Sequence, residues 1–189
     1  MLSCMEGRSM KQVDVLVIGG GIAGVSAAER FAQHAGTILL ERESALGYHS
    51  SGRSATFCHF GIGGDVVRGL TAASRPFFEE AGGNQDGPPL SQAKPALFIA
   101  TAETMDQMAA LEGEMRRFTD TISRVGPAEM LDIVPLLKVG IGGAIAGLLD
   151  SGGRKLDADL LLQTNARLFR AAGGQIVFGA GVNAMLHDG

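Results

Sequence analysis

Cysteine is scarce: Cys4 and Cys58 are the only two in 189 residues. That number supports neither a disulfide framework nor a zinc pattern. It fits a reducing compartment, so a cytoplasmic setting is expected. The four histidines, His34, His49, His59 and His187, lie far apart without ligand spacing, and no metal is expected. Runs of lysine or arginine are missing too. With a net charge of −4 and a pI near 5.5, a nucleic-acid surface is excluded. No stretch reaches the ~18 apolar residues that cross a bilayer. The opening residues 1–10, MLSCMEGRSM, lack the apolar centre of a signal peptide and read as a tail, or as residues preceding a native start at Met10. Internal repeats and low-complexity segments are likewise absent.

What remains is ordinary globular composition, 46% hydrophobic and 19% charged, with enough residues to bury a core. The informative stretch is Val13–Glu43. Val13, Val15, Leu16, Val17 and Ile18 form a short β-branched run suited to a strand buried on both faces of a parallel sheet. Gly19, Gly21 and Gly24 then fall on G-x-G-x-x-G spacing. The first permits a tight turn, the second lets a pyrophosphate approach the backbone, and the third lets helix and strand pack closely. Val25, Ala28, Phe31 and Ala32 recur at helical intervals, so a helix follows whose N-terminus faces phosphate. Thr37–Leu40 is a second strand, and Glu41 closes it at about the 20-residue distance of a ribose-binding carboxylate. Strand, turn, helix and acid agree, and together they predict a dinucleotide-binding βαβ unit.

After Arg42 and Glu43 comes a polar loop, GYHSSGRSA, ending at Ala55. Ser50, Ser51 and Ser54 offer hydroxyls, Gly52 permits close approach, and Arg53 offers a fork of N–H donors. The order GGGIAG, ILLER, GYHSSGRSA resembles the FAD-dependent D-amino acid oxidase family, and is most similar to its D-arginine dehydrogenase-type members. The resemblance implies FAD as cofactor, held by Gly19, Gly21, Ala23, Gly24, Glu41, Arg42, Ser50, Ser51, Gly52, Arg53, Ser54 and Ala55, with a main-chain contact from Val182 to adenine. It identifies no catalytic residue. Where dehydrogenase-like relatives carry His and Tyr facing substrate, Thr56–Gly64 has Phe57, Cys58 and Ile62, with His59 displaced. That departure points away from a cationic substrate toward a more apolar amine or hydroxy acid. His59 reads as a packed histidine rather than a base.

Further along, Asp65–Ala81 reads as an amphipathic helix burying Val66, Leu70, Ala73, Phe77 and Phe78, interrupted near Pro76. Gly82–Pro89 is turn chemistry and the expected domain boundary. A strand at Ala96–Ala100 and a helix over Glu103–Phe118 follow, and Asp157–Ala172 is another helix. Two glycine-rich stretches imitate nucleotide loops. Gly140–Gly147 lacks the spacing and reads as turn then strand, while Gly179–Ala184 follows the strand Gln175–Phe178 with no room for a helix after it.

The fold class expected is α/β: an incomplete FAD-binding Rossmann-like, three-layer ββα domain from 11–85 and 151–189, with 86–150 part of an α+β substrate or cap domain. The resemblance implies relatives about twice as long, so the chain is expected to be truncated. The function expected is hydride transfer from an amine or D-amino acid to flavin, with oxygen or a quinone as acceptor left open. Beside it stand a 2-hydroxy acid oxidase, an NAD-dependent dehydrogenase, to which Glu41 would be equally suited, and a non-catalytic cofactor-binding fragment.

Overall fold

The computed structural model describes residues 2–6, 9–53, 56–80 and 88–186. In chain order the strands and helices are β1 (Leu2–Glu6), β2 (Ser9–Val13), β3 (Val15–Ile18), α1 (Ile22–Ala32), β4 (Thr37–Leu40), β5 (Phe57–Cys58), α2 (Asp65–Glu80), β6 (Ser91–Ala93) and β7 (Ala96–Ala100). They continue with α3 (Met105–Met115), β8 (Ile122–Val125), α4 (Pro127–Ile133), β9 (Ala146–Asp150), β10 (Arg154–Leu156), α5 (Ala158–Ala171) and β11 (Gln175–Val177). Contacts group them into two compact units, Met1–Ala55 with Asp157–Gly189, and Thr56–Leu156.

The first unit is α/β. Its sheet runs β11–β4–β3 with all strands parallel, Leu16 opposite Ile38 and Ile176 opposite Leu39. All four residues of β4 are buried, as a continuous apolar run in a central parallel strand requires. α1 and α5 pack on one another through Ala28 and Ala166, both fully buried, and Val25, Leu39, Leu162 and Phe169 complete that core. The polar exception is Asn165, whose Nδ2 donates to Ser26 Oγ at 2.9 Å. Asp157 caps α5 by accepting the Leu160 N–H at 2.9 Å. Gly173, at φ +86°, turns the chain out of that helix toward β11. Ahead of the sheet, Leu2–Glu6 pairs antiparallel with Ser9–Val13, where sequence reasoning expects a tail. Val13 therefore ends β2, and the parallel strand begins at Val15.

The second unit holds two antiparallel sheets, β7–β9–β8 and β5–β10–β6. One core gathers Phe60, Ala100, Met108, Met115, Ile122 and Leu148, and a smaller one Val125, Met130 and Ala144. Gly140–Gly143 is a turn leading into β9.

α2 corrects an expectation. It is a helix, and it runs through Pro76, but the expected buried face is outward. Val66 is 77% and Leu70 64% exposed, Ala73 is exposed, and Phe77 and Phe78 are only half-buried. The inward face carries Arg68, 4% exposed, and Arg75. Both arginines find partners that hydrophobic periodicity cannot see. Arg68 donates to the Phe60 carbonyl at 2.9 Å and pairs with Glu114 at 2.7 Å. Arg75 donates to Thr119 at 3.1 Å, stacks on the Phe60 ring at 5.1 Å and lies 3.6 Å from fully buried Asp150. Those ties place α2 in the second unit. Most of the expected boundary, residues 82–87 of Gly82–Pro89, lies outside the described residues.

Candidate cofactor-binding site

Where β3 ends, Gly19 takes φ +102°, a value glycine adopts without strain, and its N–H donates to the Leu40 carbonyl at 2.8 Å. Gly21 then caps α1 in extended conformation. A Cβ on Gly24 would sit 2.0 Å from the Gly19 carbonyl oxygen, so only glycine lets the helix start this close to the turn. The helix therefore presents the N–H groups of its first turn, and the positive end of its dipole, at the mouth of the parallel sheet.

The loop after β4 folds back onto that turn. Gly47 N–H donates to the Gly20 carbonyl at 2.9 Å, and Gly52 N–H to Gly47 at 2.8 Å. A short 3₁₀ turn, Ser50–Arg53, follows from this, and it brings Ser51 Oγ to the helix start, where it accepts the Ile22 N–H at 3.0 Å. A hydroxyl that accepts from a backbone N–H still has its own hydrogen to donate.

Glu41 is 8% exposed. Its Oε2 accepts the Gly20 N–H at 2.6 Å and its Oε1 the Glu43 N–H at 2.8 Å. Each carboxylate oxygen has two lone pairs, so acceptor capacity remains for sugar hydroxyls. The Glu41 backbone also anchors the chain beyond β11: Glu41 N–H donates to the Val177 carbonyl, and the Ala180 N–H to the Glu41 carbonyl, each at 2.9 Å.

Between these pieces lies an open cleft of about 440 Å³. It is lined by Ile18 and Gly19–Gly21 from the turn, by Leu40, Glu41, Arg42 and His49 from the end of β4 and its loop, and by Ala180–Asn183 from the chain after β11. At its rim, Glu43 Oε1 accepts from Arg42 Nε at 3.1 Å and Nη2 at 2.9 Å, and lies 3.0 Å from His49 Nε2. Those hydrogen bonds, His49 first and Arg42 second, hold the Glu43 carboxyl below the usual carboxylate range.

Of the residues expected at the site, Gly19, Gly21, Glu41, Arg42 and Val182 line the cleft together. Ser51 joins them through α1; Ala23 and Gly24 lie in the first turn of that helix; Ser50, Gly52 and Arg53 form the adjoining turn. Ser54 and Ala55 lie outside the described residues. Gly20, Leu40, Ala180, Asn183 and His49 line the cleft unforeseen. None of these carried a signal in the sequence; His49 stands in a polar loop, and only folding sets Arg42 and Glu43 beside it.

In the second unit, His59 lies between the rings of Phe57 and Phe98, each centroid 5.4 Å away, and its Nδ1 accepts the Gly61 N–H at 3.1 Å. Burial pushes its pKa down. Burial likewise pushes the Cys58 thiol up, away from the reactive thiolate. Neither shows the setting of an activated group. Among the described residues no cluster of His, Cys, Asp or Glu can hold a metal, and no helix is long and apolar enough to cross a membrane.

A βαβ unit with a glycine turn, an exposed helix start and an acid at the end of the second strand defines a dinucleotide-binding domain. The residues fit the adenosine diphosphate part of such a cofactor: the turn is kept bare by its glycines, and the acid turns toward the cleft rather than bulk water. The chain belongs to the FAD dependent oxidoreductase family, whose sequence profile matches residues 14–189. Its fold is similar to that of L-α-glycerophosphate oxidase from Mycoplasma pneumoniae with FAD bound, at TM-score 0.79 and 20% identity, covering 92% of this chain and 46% of that one. L-proline dehydrogenase from P. horikoshii matches at TM-score 0.78 and 21% identity, over 93% and 46% of the two chains. Glycine oxidase from Bacillus cereus matches at 0.78 and 16%, over 94% and 49%. The chain thus spans just under half the length of these structures.

Proposed function

We propose that the cleft holds the adenosine diphosphate part of FAD and that the protein serves an FAD-dependent dehydrogenase or oxidase of an amine or D-amino acid. The observation that carries this reading is the placement of Glu41 and the glycine turn before α1 on one cleft, tied by the Gly20 N–H to Glu41 Oε2 bond of 2.6 Å. In it, Glu41 grips the ribose hydroxyls. The first-turn N–H groups, including that of Ala23, and the Ser51 hydroxyl meet the pyrophosphate across Gly19, Gly21 and Gly24. Arg42 and Arg53 supply positive charge at the rim, Ser50 and Gly52 carry the loop past the cofactor, and the Val182 main chain meets adenine.

A flavin held here would supply the acceptor for a hydride from the substrate carbon. The chain's own task is to fix the dinucleotide so that its reactive ring is held still, and to exclude water from it. A cytoplasmic setting is part of the proposal and rests on cysteine usage.

The finer likeness to D-arginine dehydrogenase-type members is carried by YHSSGRSA and by the helix sequence that follows, VRGLTAASRPFF at Val67–Phe78. Phe57 and Ile62, 38% and 67% exposed, favour a more apolar amine than arginine. The fold shared with a glycerophosphate oxidase keeps a hydroxyl-bearing substrate, such as a 2-hydroxy acid, as the second reading. The test is the absorption spectrum of the purified protein, followed by turnover of a panel of amines, D-amino acids and 2-hydroxy acids with an artificial electron acceptor. Bound flavin with amine turnover supports the proposal. Bound flavin with hydroxy acid turnover supports the second reading, and a colourless protein that binds only NAD overturns both. An intact protein that holds flavin without turning over any substrate is the non-catalytic fragment.

A further inference from the structure

His49 is a cleft residue that neither the glycine motif nor the SSGRSA loop assigns. Its Nε2 lies 3.0 Å from Glu43 Oε1, which can only accept, and 3.3 Å from Arg42 Nη2, which can only donate. One ring nitrogen cannot serve both. With Nε2 bare, it accepts from Arg42 and sets its lone pair against Glu43. With Nε2 protonated, it donates to Glu43 and has nothing to offer Arg42. Arg42 directs its Nε and Nη2 at the same Glu43 oxygen, so His49 and Arg42 compete for one acceptor.

We propose that protonation of His49 tightens the hold of the cleft on its anionic dinucleotide, by taking Glu43 from Arg42 and adding a positive charge at the rim. This rests on the reading of the cleft as the FAD site. A doubly protonated imidazole is a donor at both nitrogens, so only the Glu43 arrangement survives. The Arg42 fork, 70% exposed in its side chain and lining the cleft, is then released toward pyrophosphate, for which a guanidinium is well shaped. The pyrophosphate itself stays anionic across neutral pH, so the change of charge is the protein's. Among the described residues, the charged or titratable groups that share the cleft or the rim with His49 are Arg42, Glu43 and Glu41 on the segment after β4, with the Tyr48 ring 5.2 Å away. The Gly19–Gly21 turn and Ala180–Asn183 bring none. Because the rim is exposed, the effect is modest and falls with added salt.

The test is FAD binding by titration calorimetry at low ionic strength, from about pH 8 to about pH 5.5, the span over which histidine side chains in proteins change charge. The protein binds FAD about two- to fivefold more tightly at the acid end, as expected for an exposed charge. His49→Gln, which keeps reach without titrating in this range, flattens the dependence. Glu43→Gln, which weakens the shared acceptor, raises affinity at the alkaline end and leaves only the part of the slope that the His49 charge itself supplies. By reciprocity FAD raises the His49 pKa, read by NMR, in proportion to that fold-change. An unchanged slope in His49→Gln, or a His49 pKa unmoved by FAD, overturns this inference and leaves the cofactor site standing. Failure of the folded wild-type protein to bind FAD at any pH overturns the cofactor reading, and this inference with it.

Discussion

Glu41 and Gly20, 21 residues apart in sequence, are joined by a 2.6 Å hydrogen bond from the glycine N–H to the carboxylate. The bond ties the end of the second parallel strand to the turn after the first, so one acid both braces the glycine turn and lines the cleft beside it. Glu41→Ala removes the acceptor and leaves the buried Gly20 N–H without it, at a cost of about 1–3 kcal/mol. It also deletes the ribose contact. The expected outcome is a lower urea midpoint and FAD affinity weaker by at least about tenfold, since a hydrogen bond to a charged group contributes about 1.5–3 kcal/mol. Full affinity in a destabilised variant would show that the acid is structural only.

Gly24→Ala places a methyl carbon 2.0 Å from the Gly19 carbonyl oxygen. Backbone has to move, so a loss of about 1–3 kcal/mol is expected, the usual range for overpacking. Urea unfolding checks it. An Ala23→Gly change nearby, at an exposed helix position, costs at most about 1 kcal/mol.

In the second unit, Asp150 is fully buried, accepts from Thr121 at 2.7 Å and from the Gly152 N–H at 3.0 Å, and lies beside Arg75. Asp150→Ala takes the buried carboxylate from Arg75, which keeps Glu79 and Thr119, and from the Thr121 and Gly152 donors, and a loss of about 3 kcal/mol is expected. The double change with Arg75→Met recovers part of it, because no unpaired charge remains. Equilibrium denaturation of the three variants checks the sign.

His59 supplies a pH dependence. Burial lowers its folded-state pKa, so the folded chain disfavours the imidazolium relative to the unfolded chain. Stability from this group is fully present above the unfolded value of ~6.5 and is lost as pH falls through the lower folded value. Protonation also breaks the Gly61 N–H bond to Nδ1. The Gly61 amide resonance is therefore expected to titrate with the His59 ring, at a pH below that of an exposed histidine.

The first βαβ unit was legible because its code is local. A β-branched run, three glycines at fixed spacing and an acid at the strand end specify turn, helix start and cleft within 31 residues, Val13–Glu43. α5 and β11 were legible for the same reason, through helical periodicity, an Asp cap and a glycine stop. The buried face of α2 was not, since it depends on arginine partners as distant as Asp150, which lies far along the sequence from Arg75. The strand hairpin at Leu2–Val13 was missed because its sequence, LSCMEGRSMKQV, has little β-branched or alternating character. His49 was passed over because a histidine in a polar loop has no signature until folding sets Arg42 and Glu43 beside it.

The measurement that bears most directly on the central claim is calorimetric titration of FAD into the wild-type protein and into Gly21→Val. A Cβ on Gly21 would lie 3.1 Å from Ser51 Oγ, so a larger side chain has to crowd the point where the helix start meets the cleft. The account predicts stoichiometric FAD binding by the wild type and none by a variant that keeps its circular dichroism spectrum. Equal affinity in the two proteins would contradict it, because the diphosphate would then rest somewhere other than on this glycine turn.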